Sequence, residues 1–165
     1  MKKFTLTAIL LVMALISLAL PTAAPAQDLL TNLDLQYVIV PTAGNTDITS
    51  AAISTDNYRT ALLGIYSTAN ATWSADCRLE IVMTECASST GTFTAVTSAD
   101  VRGATPNASG TILTLNSATT AATLAEIQYV GRMPYFKIKA DFTGVATETP
   151  TVAVIAVHGG KIISQ

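Results

Sequence analysis

The sequence predicts an all-β domain, an antiparallel β-sandwich of jelly-roll or Ig-like type, preceded by an N-terminal hydrophobic signal helix. Three observations lead there. Thr, Ala and Ser dominate the chain after residue 26, with Val and Ile gathered in short runs, a composition suited to pleated, half-buried surfaces. Clusters of Gly, Pro, Asn and Asp separate those runs at short intervals, as in sandwiches and barrels. The first residues are of another kind altogether.

Lys2 and Lys3 open the chain, an apolar run extends from Phe4 to Leu20, Pro21 stops it, and Ala24-Pro25-Ala26 follows. A positive start, an apolar middle and small residues at the cleavage positions make the plan of a secretory signal peptide. Residues 1–26 are therefore expected to be removed after Ala26, leaving 27–165 as a single β-sandwich domain. The alternative is retention as a membrane anchor, because the run is just long enough for a bilayer, which needs roughly 17–25 apolar residues. Contact with a membrane is expected only through this segment, if it is uncleaved. The expected location is periplasmic, extracellular or on the cell surface.

Strands are expected at 35–40, 48–53, 61–67, 78–85, 93–97, 111–115, 126–130, 135–142 and 151–158. In 135–142, Phe136, Ile138, Ala140 and Phe142 alternate with Tyr135, Lys137, Lys139 and Asp141. That is the period of a strand with one dry and one wet face. Leu79, Ile81 and Met83 alternate with Arg78, Glu80 and Thr84 in the same way. The run Val152-Ala153-Val154-Ile155-Ala156-Val157 is apolar at both parities. It should lie centrally in its sheet, or be covered by a neighbouring subunit. A helix competes with a strand only over 117–127, where Ala121, Ala122, Leu124, Ala125 and Glu126 favour one.

Cys77 and Cys86 flank a single expected strand. At about 3.3 Å per residue they would stand near 30 Å apart, far beyond the roughly 7 Å between Cα atoms that a disulfide tolerates. Buried thiols, or pairing with a neighbouring subunit, are the readings left.

The inventory of reactive groups is sparse. Nine Lys and Arg less Lys2 and Lys3 leave seven against eleven Asp and Glu, and those seven are scattered. Binding to nucleic acid, which calls for clustered cations, is not expected. His158 is the one histidine and reads as a polar cap before Gly159-Gly160. Two cysteines and one distant histidine lack the clustering of a zinc site. Asp47 and Asp56 lack calcium-loop spacing, and no Gly-rich phosphate loop occurs. No catalytic residue, cofactor or metal is expected. Asn70-Ala71-Thr72 and Asn107-Ala108-Ser109 match the glycosylation triplet, a short pattern that falls in expected loops. The residues that stand out as candidates for contact are aromatic: Tyr58, Tyr66, Trp73 and Tyr135, since aromatics are enriched at interface centres. Trp73, Tyr58 and Tyr66 would also serve as a platform for a glycan.

One succession of segments carries a family likeness. It runs from Ala61-Leu62-Leu63-Gly64-Ile65-Tyr66 through Arg78-Leu79-Glu80, Phe93-Thr94-Ala95-Val96 and Asp100-Val101-Arg102-Gly103. It continues with Tyr129-Val130-Gly131-Arg132 and Tyr135-Phe136-Lys137-Ile138, and closes on the strand from Val152 to Val157. Over about residues 61–160 this resembles the small head-associated, decoration-like structural proteins of tailed phages and prophages. The resemblance implies a β-sandwich present in many copies that packs against itself or a structural lattice protein, in a virion, with no active site to transfer. The chain departs from that pattern in its export segment, and in Pro134 where the turn usually carries Lys or Arg. The function expected is a non-catalytic structural or assembly subunit. The alternative is a secreted binding module that recognises a glycan or a surface partner.

Intact-mass measurement of the exported protein is expected to show a chain that begins at Gln27. A full-length mass recovered from the membrane fraction would establish the anchor instead.

Overall fold

A computed structural model describes residues 34–44, 46–55, 58–68, 73, 75–117, 121–144 and 150–161. All belong to the unit Asn32–Gln165. The expected signal helix and its cleavage site lie outside the described residues. Among those described there are strands and no helix: β1 (Asp34–Ala43), β2 (Ile48–Thr49), β3 (Ile53–Ser54), β4 (Tyr58–Ser67), β5 (Arg78–Cys86), β6 (Thr94–Ala95), β7 (Val101–Arg102), β8 (Thr111–Asn116), β9 (Thr123–Tyr129), β10 (Tyr135–Thr143) and β11 (Thr151–Lys161).

They form an antiparallel β-sandwich. One sheet has the order β1-β11-β4-β9-β7. In the other, β10 and β5 make the centre, with β2 and β3 on the free side of β10 and β6 and β8 on the free side of β5. Alternation decides what each strand puts inside. From β10 and β5 come Phe136, Ile138, Ala140, Leu79, Ile81 and Met83, all fully buried, as their periodicity requires. From the five-stranded sheet come Leu63, Ile65, Val152, Val154, Ala156 and Ile127. These two sets form one continuous core.

Several elements differ from the sequence expectation. The stretch 117–127 contains strand, not helix, because Thr123, Ala125 and Ile127 pair along β4 and share its buried side; this tertiary pairing overrides helix propensity. The expected strand 48–53 is broken into β2 and β3, separate two-residue pairings on β10. Between them Ser50 bonds to β10 from both backbone and side chain, its amide donating to the Ile138 carbonyl and its Oγ accepting from the Ile138 amide. Pro41-Thr42-Ala43, beyond the strand expected at 35–40, continue β1, which carries two register shifts. Finally, β11 runs past His158 to Lys161, so the histidine is no cap. It is buried within the strand, its ring 4.8 Å from that of Tyr58 and tilted by 59°.

Cys77 and Cys86 stand at opposite ends of β5, the first buried and the second half-buried, as the single-strand reading requires. Gly110 sits in a turn that demands glycine. Its φ is +80°, and a Cβ there would collide with the Met83 carbonyl oxygen. Asn107 shapes the same turn, its Oδ1 accepting from the amides of Ser109 and Thr111 at 2.9 and 3.0 Å.

Phe136→Ala is expected to cost about 3–5 kcal/mol of stability, the usual price of an emptied aromatic site in a core, measured by denaturant unfolding. Gly110→Ala should also destabilise, while Ala108→Gly in the same exposed loop should change little.

Candidate functional site

The two sheets bury similar inner faces, but their outer faces differ in kind. On the six-stranded sheet the outer side of β10 and β5 carries Lys137, Lys139, Asp141, Arg78 and Glu80. Lys139 Nζ lies 2.8 Å from both Asp47 and Asp141. Lys137 Nζ sits 4.3 Å over the ring of Phe93, and Arg78 faces Glu80 at 3.7 Å. Asp47 also accepts from the amide of Phe142 at 3.0 Å. The Lys139 hydrogen bond, followed by that amide, holds the Asp47 carboxyl below its usual pKa, while Asp141 and Asp47 raise that of Lys139. This is a wet, charge-balanced surface. Asp47 is occupied by Lys139, and Asp56 lies outside the described residues. Among the described residues no cluster of potential metal ligands occurs.

The outer face of the five-stranded sheet is apolar. Register places its side chains in three rows across the strands. The first is Leu35 on β1, Val157 on β11, Leu62 on β4 and Gln128 on β9. The second is Tyr37, Ile155, Gly64 and Glu126. The third is Ala153, Tyr66 and Leu124, with Val40 exposed on β1 beyond the first register shift. Leu35, Tyr37, Val40, Leu62, Tyr66 and Leu124 are between 42% and 72% exposed. At typical side-chain areas these six expose on the order of 700 Å², more than the roughly 300–600 Å² of the largest patch on an ordinary monomer. Among the described side chains of these rows the charged ones are Glu126 on β9 and Arg102 on β7, at one margin.

A rigid frame holds this face. Tyr129, on the inner side of β9, crosses to the other sheet. Its ring packs 5.1 Å from that of Phe136 and lies against Gly131, where any Cβ would strike it. Its hydroxyl sits 2.7 Å from Glu85 Oε2 and 3.1 Å from the Met133 carbonyl. One hydroxyl has one hydrogen, so it cannot donate to both. A protonated Glu85 would relieve that competition, the acid donating to Tyr129 and Tyr129 to Met133. Burial raises the pKa of Glu85, with the charge of Asp100 adding to it and the Tyr129 hydrogen bond opposing. Burial and the Glu85 carboxylate likewise push the Tyr129 phenol far up.

Of the four aromatic candidates, the fold brings only Tyr66 onto the apolar face. Trp73 is half-buried against the core, Tyr58 leans on His158, and Tyr135 is half-buried at the start of β10, between Ser54 and Cys86. Sequence reasoning missed Leu35, Tyr37, Leu62 and Leu124. The signal that could have found the face was the double-sided apolar run of β11, whose outer residues Ile155 and Val157 form its middle.

No family model matches the chain, and no curated protein matches it. Among solved structures it is similar to the N-terminal cellulose-binding domain of beta-1,4-glucanase C from Cellulomonas fimi, determined by NMR. The two are 10% identical, each is covered over 81% of its length, and the TM-score is 0.33. A likeness this loose bears on no ligand.

The Glu85 arrangement gives a signed expectation. An acid whose folded pKa is raised stabilises the fold fully below its unfolded value, and that contribution is lost as pH rises through the folded one. Denaturant midpoints of the wild type should therefore fall as pH climbs above 4.5, the ordinary glutamate value. In Glu85→Gln, whose amide donates to Tyr129 at every pH, this part of the slope should vanish.

Proposed function

We propose that this chain is an exported, non-catalytic binding module that holds a partner flat against the outer face of its five-stranded sheet. The observation that carries this reading is the contrast between the two outer faces. A sandwich needs only its inner faces to fold, and the six-stranded sheet clothes its outside in paired charges. The five-stranded sheet instead leaves Leu35, Tyr37, Val40, Leu62, Tyr66 and Leu124 open to water. Patches of this size mark interaction surfaces, and the polar rim at Glu126, Gln128 and Arg102 completes the usual anatomy of one.

The non-catalytic part of the reading rests on the titratable groups themselves. The one histidine is buried within β11, Asp47 is tied to Lys139, and Glu85 is tied to Tyr129. Export is read from residues 1–26. The multi-copy lattice role that the resemblance to phage head proteins implies would use the same face.

A second reading has its own observation. Tyr37 and Tyr66 are 53% and 43% exposed on that face, and tyrosine rings stack well on the C–H faces of sugars. The rows between them offer few hydrogen-bonding groups, which fits a flat, insoluble glycan surface better than a single soluble chain.

Leu35→Lys/Leu124→Lys tests the reading. Both side chains point to solvent, so stability should stay within about 1 kcal/mol of wild type. Wild type and variant are compared in glycan-array binding, pull-down on insoluble polysaccharide, and sedimentation. At least one association should be lost in the variant. Equal behaviour in all three would refute a binding role for this face.

A further inference from the structure

The centre of the apolar face contains a glycine that the fold itself does not require. Gly64 lies in the interior of β4, paired with Ile155 on one side and Glu126 on the other. A Cβ built there would meet nothing within 4 Å, whereas those of Gly103, Gly110, Gly131 and Gly144 would strike neighbouring atoms. Its φ lies outside the left-handed region that favours glycine. Glycine inside a strand weakens it and often marks a place where another chain or a ligand approaches closely. Gly64 therefore makes a hollow in the outer face, bounded along its strand by Leu62 and Tyr66.

The rows show what fits that hollow. In the second row Tyr37, Ile155 and Gly64 stand on β1, β11 and β4, with β11 in the middle. A two-fold axis laid along the outer face of β11 exchanges β1 and β4 between two copies. Tyr37 of each copy then falls on Gly64 of the other, the largest side chain of the row over its only gap. In the first row Leu35 falls on Leu62, and Val157 and Ile155 meet themselves at the axis. The same operation carries β9, with Glu126 and Gln128, past the edge strand β1 of the other copy. The charged margin of β9 stays in water, away from that of the other copy.

We infer that the occupant of this face is a second copy of the chain, packed face to face about a two-fold axis along β11. The inference rests on the binding reading above and names its partner. Isologous pairing needs one patch that complements itself, which the Tyr37–Gly64 match supplies. Twisted sheets stack with strands offset by about 30°, so the axis bisects that angle and is tilted about 15° from β11, which three strands and three rows can accommodate. The covered side chains amount to roughly 600 Å² per copy at typical areas, about 1,200 Å² in total and so at the small end of specific interfaces. Pairing edge to edge is disfavoured by β1 itself. Its two register shifts and Pro41, which has no amide hydrogen, break the row of donors that a new strand would need.

Sedimentation equilibrium of the purified protein tests this, with variants chosen by position. Wild type should show a reversible monomer–dimer equilibrium below about 1 mM protein. Gly64→Arg fills the hollow and should weaken the dimer at least tenfold, with unchanged circular dichroism. Tyr37→Lys, on the exposed edge strand, should do the same and serves if Gly64→Arg misfolds. Leu124→Lys, outside the two-fold contact, should dimerise like wild type. A wild type that stays monomeric to about 1 mM, or a dimer indifferent to both Gly64→Arg and Tyr37→Lys, overturns the inference. If Leu35→Lys/Leu124→Lys still abolishes glycan or polysaccharide binding in that case, the face remains a binding site and only the second copy falls. If nothing changes there either, both fall.

Discussion

A strand that is apolar on both sides can satisfy only one of them in a two-layer sandwich. β11 is that strand. Val152, Val154 and Ala156 fill the core from one side, while Ala153, Ile155 and Val157 face away from it. Because β11 sits between β1 and β4, its outer residues are flanked by those of its neighbours, and the apolar surface broadens from a stripe into a face. Packing on the inner side fixes the register of all three strands. That register then fixes which residues stand side by side on the outer one. The interior and the exposed rows are thus products of a single alignment.

The two outer faces show how differently a sheet can treat water. On β10 every outward position from Lys137 to Asp141 is charged and has a partner: Phe93 beneath Lys137, and Asp47 and Asp141 around Lys139. Exposed pairs of this kind contribute little to stability, commonly less than about 1 kcal/mol each. Their effect is to keep that face soluble and unattractive to neighbours. On the five-stranded sheet the equivalent positions are Leu, Ile, Val, Tyr and Gly. The energy of folding does not explain this difference, since either pattern permits the same core.

Much of the fold was legible in the sequence because alternation is a local signal. The segments that became β5 and β10 could be read residue by residue, and the two-sided character of β11 marked it as central. The face was harder to read. In β1 the shifts between Tyr37 and Ile39 and between Ile39 and Thr42 put Val38 and Ile39 on the core side in succession, so simple alternation could not tell that Leu35 and Tyr37 point outward. Leu124 was hidden in a stretch whose alanines favour a helix. β7 is two residues long and has no period to detect. Trp73 stood out by residue type, yet it packs against the core, because a large aromatic is as useful for filling space as for making contact.

Gly64 marks the limit of what a sequence can show. In the string Leu62-Leu63-Gly64-Ile65 it looks like a mild flaw in a good strand, and nothing nearby explains it. Only the register reveals that it lies in the same row as Tyr37, one strand removed, and only the empty space above it shows that no internal contact needs it to be small. A residue that costs its own strand stability without relieving a clash or a strained turn is best explained by something outside the molecule. The tyrosine that would fill the gap lies on the same face, at the distance a two-fold axis along β11 would exchange. The strand that dictates the core thereby also dictates how a second copy could be received.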